Sequence, residues 1–336
     1  MAGALTSDLL KNLPIAELHC HLEATVDPSE ARRLAARNFV DISGAFDERG
    51  AYQWRTFGEF LKVYDAVSEA IRTPEDYFDI TLAHYRRMAA KGMIYGEVIL
   101  SPAHAGRFGV SYAALIDAVA SAMATAQDEK GIFGRIIVTC VRHYGAEHAL
   151  SVAKSARDHP HPFVTAFGMA GDEASGATAD FHRAFVIAGD CGLGLTAHAG
   201  EILGPDSVRE AISLLGISRI GHGVRALEDA DLVAEIRDRG LTLEVCPTSN
   251  VAIGLYPSIA SHPLPRLVAA GLRVTLNSDD PAFFGADVAD EYERNAAAHR
   301  FARADLLAFT RNAIEAAFCD NGARARLAAN VAAAGA

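Results

Sequence analysis

The sequence predicts an α/β fold, a (β/α)8 TIM barrel with an extra helical segment after its first strand. Three observations predict it. Eight short apolar runs alternate with longer stretches that carry helix signals. Most of these runs are β-branched and apolar throughout, as strands buried on both faces are. Ionisable residues cluster where the runs end, and in a barrel of this kind that is the face where active sites lie. Strict alternation calls for a parallel sheet, and eight strands close it. An open doubly wound sheet is the alternative, but no G-x-G-x-x-G follows an early run, so a dinucleotide fold has no support.

The expected strands are Ile15–Leu18, Ile94–Leu100, Arg135–Val141, Phe163–Gly168, Leu193–His198, Arg219–His222, Leu241–Cys246 and Arg273–Asn277. After the first comes the longest excursion, Ala24–Gly92. Asp27-Pro28-Ser29-Glu30 reads there as a cap, a first-turn proline and a capping-box acid, and Thr73-Pro74-Glu75-Asp76 repeats that grammar. The excursion exceeds a simple crossover and holds Trp54, Phe57, Phe60 and Leu61. It reads as a helical lid over the barrel mouth or as an extra helix on the outer wall.

Further along, Ser111–Lys130 aligns Leu115, Val119, Met123 and Ala126 on one stripe and stops at Gly131. Ser207 with Glu210 reads as another capping box, in a helix ended by Gly216. Ala328–Ala336 reads as a fraying helix. No linker, low-complexity tract or repeat interrupts the chain, so residues 1–336 are expected to form one domain.

Composition narrows the function. The 336 residues are 50% hydrophobic and 22% charged, which fits a globular enzyme and excludes a disordered or fibrous chain. Lys and Arg number 31 against 42 Asp and Glu, a net charge of −11 spread without a tail. That balance argues against nucleic acid, whose phosphates need basic patches. No apolar run is long enough to span a membrane, and the N-terminus lacks the basic-then-apolar plan of a secretory signal. The expectation is a cytoplasmic protein with a small-molecule partner, not a nucleic acid or a membrane. The five cysteines, Cys20, Cys140, Cys191, Cys246 and Cys319, are odd in number and have no C-x-x-C spacing. They argue against a disulfide framework and a cysteine zinc site, and those within strand runs read as small buried hydrophobes.

The chemistry gathers at four strand ends. The first ends in Glu17-Leu18-His19-Cys20-His21-Leu22-Glu23. In an extended segment His19 and His21 point to one side and Cys20 to the other. The fifth ends in His198-Ala199-Gly200-Glu201, the sixth in Gly221-His222-Gly223 and the eighth in Ser278-Asp279-Asp280-Pro281. In a barrel all four converge on one small volume. The remaining histidines, such as His84, His148 and His299, fall in helices or loops, where surface placement is the default. The fourth run has no lysine to bridge two metals. One divalent metal is therefore expected, held by His19, His21, His198 and Asp279 with a water in the open position. An all-N/O set suits zinc, with iron, cobalt or manganese as substitutes.

Such a metal brings its water's pKa toward neutrality. Glu201, three residues after His198, reaches the substrate beside the metal, and in a closed apolar pocket it stays protonated and donates. His222 takes the water's proton or stabilises the hydroxide. Asp280 points away from Asp279 and either accepts a hydrogen bond from substrate or caps the segment after Pro281.

Taken in order, these strand ends, together with Ala170-Gly171-Asp172-Glu173 and Cys246-Pro247-Thr248-Ser249-Asn250, resemble the adenosine deaminase family of metal-dependent barrel hydrolases. The resemblance runs from His19 to about Asp287 and implies hydrolytic deamination of a 6-aminopurine. It implies that Glu201 protonates ring N1, His222 orients and deprotonates the water, Asp280 contacts N7 and the Gly171 N–H contacts N3. Gly171, Asp280, Glu23 and His21 are then the residues expected to touch the purine. Family members acting on adenosine usually carry Asp where this chain has Glu23, and Glu there resembles the adenine deaminase branch. The two loop motifs resemble the nucleoside branch, so the expected substrate is adenosine or deoxyadenosine, with adenine or a modified adenine nucleoside as the alternative. A purine-binding barrel without turnover is a further alternative, against which Glu201 and His222 both argue.

Overall fold

The computed structural model describes residues 10–335. Its eight strands form one sheet in sequence order. They are β1 (Ile15–Glu17), β2 (Met93–Leu100), β3 (Phe133–Val141), β4 (Val164–Ala170), β5 (Gly194–Ala199), β6 (Arg219–His222), β7 (Thr242–Val245) and β8 (Arg273–Leu276). Every neighbouring pair is parallel. Each strand lies within two residues of an expected run, because the buried β-branched character that marks the runs is what a sheet covered on both faces demands.

No ladder joins β8 to β1. The ring closes just past the strand ends, where the N–H of Asp279 donates to the carbonyl of His19 (3.1 Å) and the N–H of His21 donates to the carbonyl of Asp279 (2.8 Å). Below them the N–H of Leu18 donates to Asn277 Oδ1 at 2.9 Å. The seam of the barrel is thus made by expected site residues.

The barrel interior is not wholly apolar. Ile99, Ile137 and Ala166 pack with Phe318 as a small apolar cluster. Beside it the buried Arg219 of β6 pairs with Glu97 of β2 (2.7 Å) and Glu244 of β7 (2.6 Å), and its guanidinium stacks 3.7 Å over the Phe318 ring. Buried charges persist only when paired and hydrogen-bonded, and this triad meets that condition.

The excursion after β1 holds three helices, Pro28–Asn38, Phe57–Ser68 and Pro74–Ala90. Asp27 caps the first by accepting from the N–H groups of Ser29 and Glu30, and Thr73 with Asp76 closes the capping box of the third. Phe57–Ser68 lies over the mouth, with Phe57, Phe60, Leu61 and Tyr64 lining the cleft below it. Phe60 meets Phe283 and Phe284, from the turn after β8, at 5.6 and 5.1 Å between ring centres, and Trp54 packs on Phe60 at 5.5 Å. This is the lid arrangement, not an outer-wall helix.

One expected cap is corrected. The helix Pro205–Leu215 starts after Gly204, so Ser207 sits within its first turn. Its hydroxyl donates to Glu173 Oε1 (2.5 Å) and accepts from the N–H of Gly200 (2.9 Å). A buried carboxylate from a distant loop outcompetes the local partner. Gly216 and Gly131 do end their helices in the left-handed conformation, with φ of 66° and 72°. The last helix is Asn321–Gly335. Ala336 and residues 1–9, where the absence of a secretory signal was read, lie outside the described residues. Among the described residues no helix is long and apolar enough to cross a membrane.

Candidate active site

The site is built from backbone that alternates and then turns sharply. His19 and His21 flank Cys20 just past β1, and each Nε2 lies 3.3 Å from Asp279 Oδ1. Cys20 groups instead with Glu17 and His84. His198, on β5, brings its Nε2 to 3.1 Å from that of His19 and 3.4 Å from that of His21. Asp279 and His222 both adopt the left-handed conformation, at φ 65° and 59°. Few non-glycine residues do so, and the cost is accepted where a side chain must be aimed. Gly221 lies beneath the cluster, where a Cβ would come within 3.0 Å of His19 Cε1 and 3.1 Å of His198 Cα.

These four side chains fit a divalent metal. Metal–ligand bonds of about 2.0–2.1 Å bring neighbouring ligand atoms to roughly 3 Å of one another, and the contacts here are 3.1–3.4 Å. The outward-facing atoms of His19, His198 and Asp279 are engaged. His19 Nδ1 meets Glu244 Oε2 (2.7 Å), His198 Nδ1 meets the Met169 carbonyl (3.0 Å), and Ser249 donates to Asp279 Oδ2 (2.6 Å). Such outer contacts fix the tautomers of His19 and His198 and turn their Nε2 lone pairs inward. Asp279 Oδ1, aimed at the same point, is buried without a hydrogen-bond partner.

Glu201 follows β5 in a tight bend organised by Glu173. That carboxylate accepts from the N–H groups of Gly200 (2.6 Å), Ile202 (2.7 Å) and Leu203 (2.9 Å), on both sides of Glu201. Burial, with the charges of Asp279 and Glu173 added, holds the Glu201 carboxyl well above the usual carboxylate range. His222 Nε2 stands 3.6 Å from Glu201 Oε1 and 3.8 Å from Asp279 Oδ2, and burial takes the His222 ring down to about 4. Burial and the neighbouring Asp279 likewise push Asp280 up. The Asp280 side chain makes no cap hydrogen bond to the following turn, and its Oδ1 is buried and unpartnered, so the capping alternative falls. Gly171 follows β4 at φ 96°, where a Cβ would come within 2.9 Å of His143 Nδ1. Only glycine leaves its backbone open to the cleft there.

Glu23 is buried on the turn after His21. Tyr64, from the lid helix, donates to its Oε2 (3.2 Å), and His104 Nδ1 lies 3.5 Å from its Oε1. His104 Nε2 in turn lies 3.6 Å from Asp65 Oδ1. Burial pulls the His104 ring down, but Asp65 and Glu23 outweigh it and lift it to about 9.

His21, Glu23, Gly171, His198, Glu201, His222, Asp279 and Asp280 line one cleft of about 720 Å³, open mouth included, with His19 behind them. All the expected site residues are therefore brought together. Glu244, His104 and Asp65 also belong to the site, although no sequence motif marks them, and Glu173, Ser249 and Asn250 stand in the sequence only as letters of the two loop motifs. An acid in the middle of the apolar run Leu241–Cys246 is a signal that could have found Glu244. The default surface placement of the other histidines is corrected for His84, His104 and His262, which are buried. His84 lies on the inward face of the helix Pro74–Ala90, His104 lines the cleft, and His262 packs against Asn250.

Barrel, donor set and buried acid define a hydrolase of the metal-dependent kind. The comparisons agree. The chain matches the family described as adenosine deaminase over residues 14–334. An adenine deaminase of Rhizobium leguminosarum bv. trifolii is 47% identical over 320 residues, spanning 95% of this chain and 99% of the relative. The crystal structure of an adenine deaminase from Arthrobacter aurescens superposes with a TM-score of 0.89 at 31% identity, over 95% of this chain and 98% of that one. A zinc-bound amidohydrolase from Burkholderia ambifaria gives 0.87 at 26% identity, over 97% and 91%. The chain belongs to the adenosine deaminase family. It is a hydrolytic deaminase, and its substrate is a 6-aminopurine.

Proposed function

We propose that the substrate is free adenine, converted with water to hypoxanthine and ammonia. The observation that carries this reading is Glu23. Its Oε1 is buried in the cleft wall without a hydrogen-bond partner, and Tyr64 and His104 hold the carboxyl in place. Adenine offers an acceptor there its own ring N–H at N9. In adenosine that nitrogen bears the sugar and has no proton to give. The names of the relatives at 47% and 31% identity support the same choice. They favour the free base over the nucleoside that the two loop motifs suggested.

His19, His21, His198 and Asp279 would hold zinc, the ion this donor set suits and the one bound in the Burkholderia relative, which supplies a Lewis acid that brings a water's pKa to about 7. The remaining work falls to the chain's own groups. Glu201 gives its proton to ring N1 as the water oxygen bonds to C6, and one proton of the water restores it. The second water proton goes to the amino nitrogen as the C6–N bond breaks. Asp280, held neutral by burial beside Asp279, donates to N7 instead of accepting from the substrate as the sequence suggested, because N7 has no proton to give, and the bare N–H of Gly171 donates to N3. His222 faces the attacking oxygen.

The test is a paired ultraviolet assay of metal-replete protein with adenine and with adenosine, with ammonia release followed in parallel. Turnover of adenine with little or none of adenosine is expected. Turnover of adenosine alone would overturn the reading and restore the nucleoside.

A further inference from the structure

Within Cys246-Pro247-Thr248-Ser249-Asn250, Ser249 serves Asp279, but Asn250 has no part in the chemistry above. It is fully buried in the short helix Pro247–Ala252, between two histidines. Its Nδ2 lies 3.3 Å from His222 Nδ1, and its Oδ1 lies 3.1 Å from His262 Nε2. His262 is itself buried, and its Nδ1 faces the backbone N–H of Leu264 at 3.1 Å.

The direction of this chain follows from its far end. A backbone N–H only donates, so His262 Nδ1 accepts and carries no proton. Burial agrees, holding His262 down to about 3, so the ring is neutral and its single proton is on Nε2. That N–H donates to Asn250, which must turn its oxygen toward His262 and its NH2 toward His222. An amide NH2 only donates, so His222 Nδ1 accepts. The proton of a neutral His222 is then on Nε2, the nitrogen that faces Asp279 Oδ2 and Glu201.

We propose that the chain Leu264–His262–Asn250 fixes His222 as its Nε2–H tautomer, so that His222 donates a hydrogen bond to the attacking oxygen and does not remove its proton. Asn250 and His262 are positioning residues for that donor. A fixed donor aimed where negative charge develops stabilises the transition state without reorganising. The proton count needs nothing more from His222. Glu201 gives one proton to N1 and recovers one from the water, and His222 keeps its own throughout. The base role expected for His222 from the family resemblance is replaced by this one.

The test has two arms. In metal-loaded protein labelled with ¹⁵N-histidine, the His222 ring signals are assigned by their loss in His222→Gln. The wild-type spectrum should show a protonated Nε2 and a bare Nδ1. In Asn250→Asp an oxygen replaces the NH2 facing His222, so the spectrum should show the proton moved to Nδ1. Turnover of adenine by that variant should fall about 10²–10³-fold, the usual cost of one lost transition-state donor. Its KM should stay within about threefold and its metal content should be unchanged, which separates a lost donor from lost binding. A wild-type spectrum with the proton on Nδ1 would overturn the proposal, as would wild-type turnover in Asn250→Asp. The kinetic arm rests on adenine as substrate. If wild-type protein leaves adenine untouched, that reading fails alone, and the spectrum, taken without substrate, still decides the tautomer.

Discussion

Glu244 Oε2 stands 2.7 Å from His19 Nδ1, and the opposite oxygen of the same carboxylate pairs with Arg219. Glu244 therefore connects a charged layer inside the barrel to one of the four proposed metal ligands. Glu244→Gln keeps the shape and removes the charge. Metal affinity, measured by competition with a chelator, is expected to fall about 10–100-fold. Unchanged affinity would mean that the carboxylate serves Arg219 alone.

Glu201 and His19 make opposite predictions. Glu201→Gln should retain its metal and lose at least about 10²–10⁴-fold in turnover, the range for a lost general acid. His19→Ala should lose the metal itself. Elemental analysis alongside initial rates separates the two. Wild-type rates in the first variant, or full metal content in the second, would remove the assigned roles.

Glu291 carries a pH prediction away from the metal. Burial raises its carboxyl to about 8 from an ordinary value of 4.5, against the opposing hydrogen bonds from Thr248 and Asn295. A raised pKa means that the folded state holds a proton the unfolded chain has released. The associated stability is present below about pH 4.5 and is lost as pH rises through about 8. Tm of the wild type should fall relative to Glu291→Gln between those values. Parallel Tm curves would show that Glu291 is already ionised in the fold.

Two glycines should respond differently to alanine. At Gly221 a Cβ presses on His19 and on the His198 backbone, so Gly221→Ala should weaken metal binding and lower turnover together. At Gly58, on the lid helix, nothing lies within 4 Å of the added atom, and φ is not positive. Gly58→Ala should leave activity intact and hold or raise stability by up to about 1 kcal/mol. Equal effects from both would refute the close packing under His19 and His198.

Local rules made much of this legible. The caps at Asp27 and Thr73 read correctly because their partners are the next few residues. Ser207 read wrongly because its partner, Glu173, arrives from the loop after β4. The strand ends were legible because a barrel gathers them on one face whatever lies between. The wall around Glu23 was not, since Tyr64 and His104 come from the lid helix and from the turn after β2. The sequence shows that Glu is longer than Asp, but only the fold shows what holds it. The route from Leu264 to His222 was hidden for the same reason, since the polarity of its hydrogen bonds depends on which atoms meet in space.

The seam between β8 and β1 has a consequence for the life of the protein. The first and last strands meet through the backbone of His19, His21 and Asp279, whose side chains are also three of the four proposed metal ligands. An ion held there would clasp the two ends of the ring as well as serve the reaction. Binding that favours the folded state alone adds to its stability by mass action. Metal depletion should therefore loosen β1 and β8 first, as faster amide exchange and earlier proteolytic nicking at the seam. A cell short of the metal would then lose the enzyme to degradation as well as to inactivity.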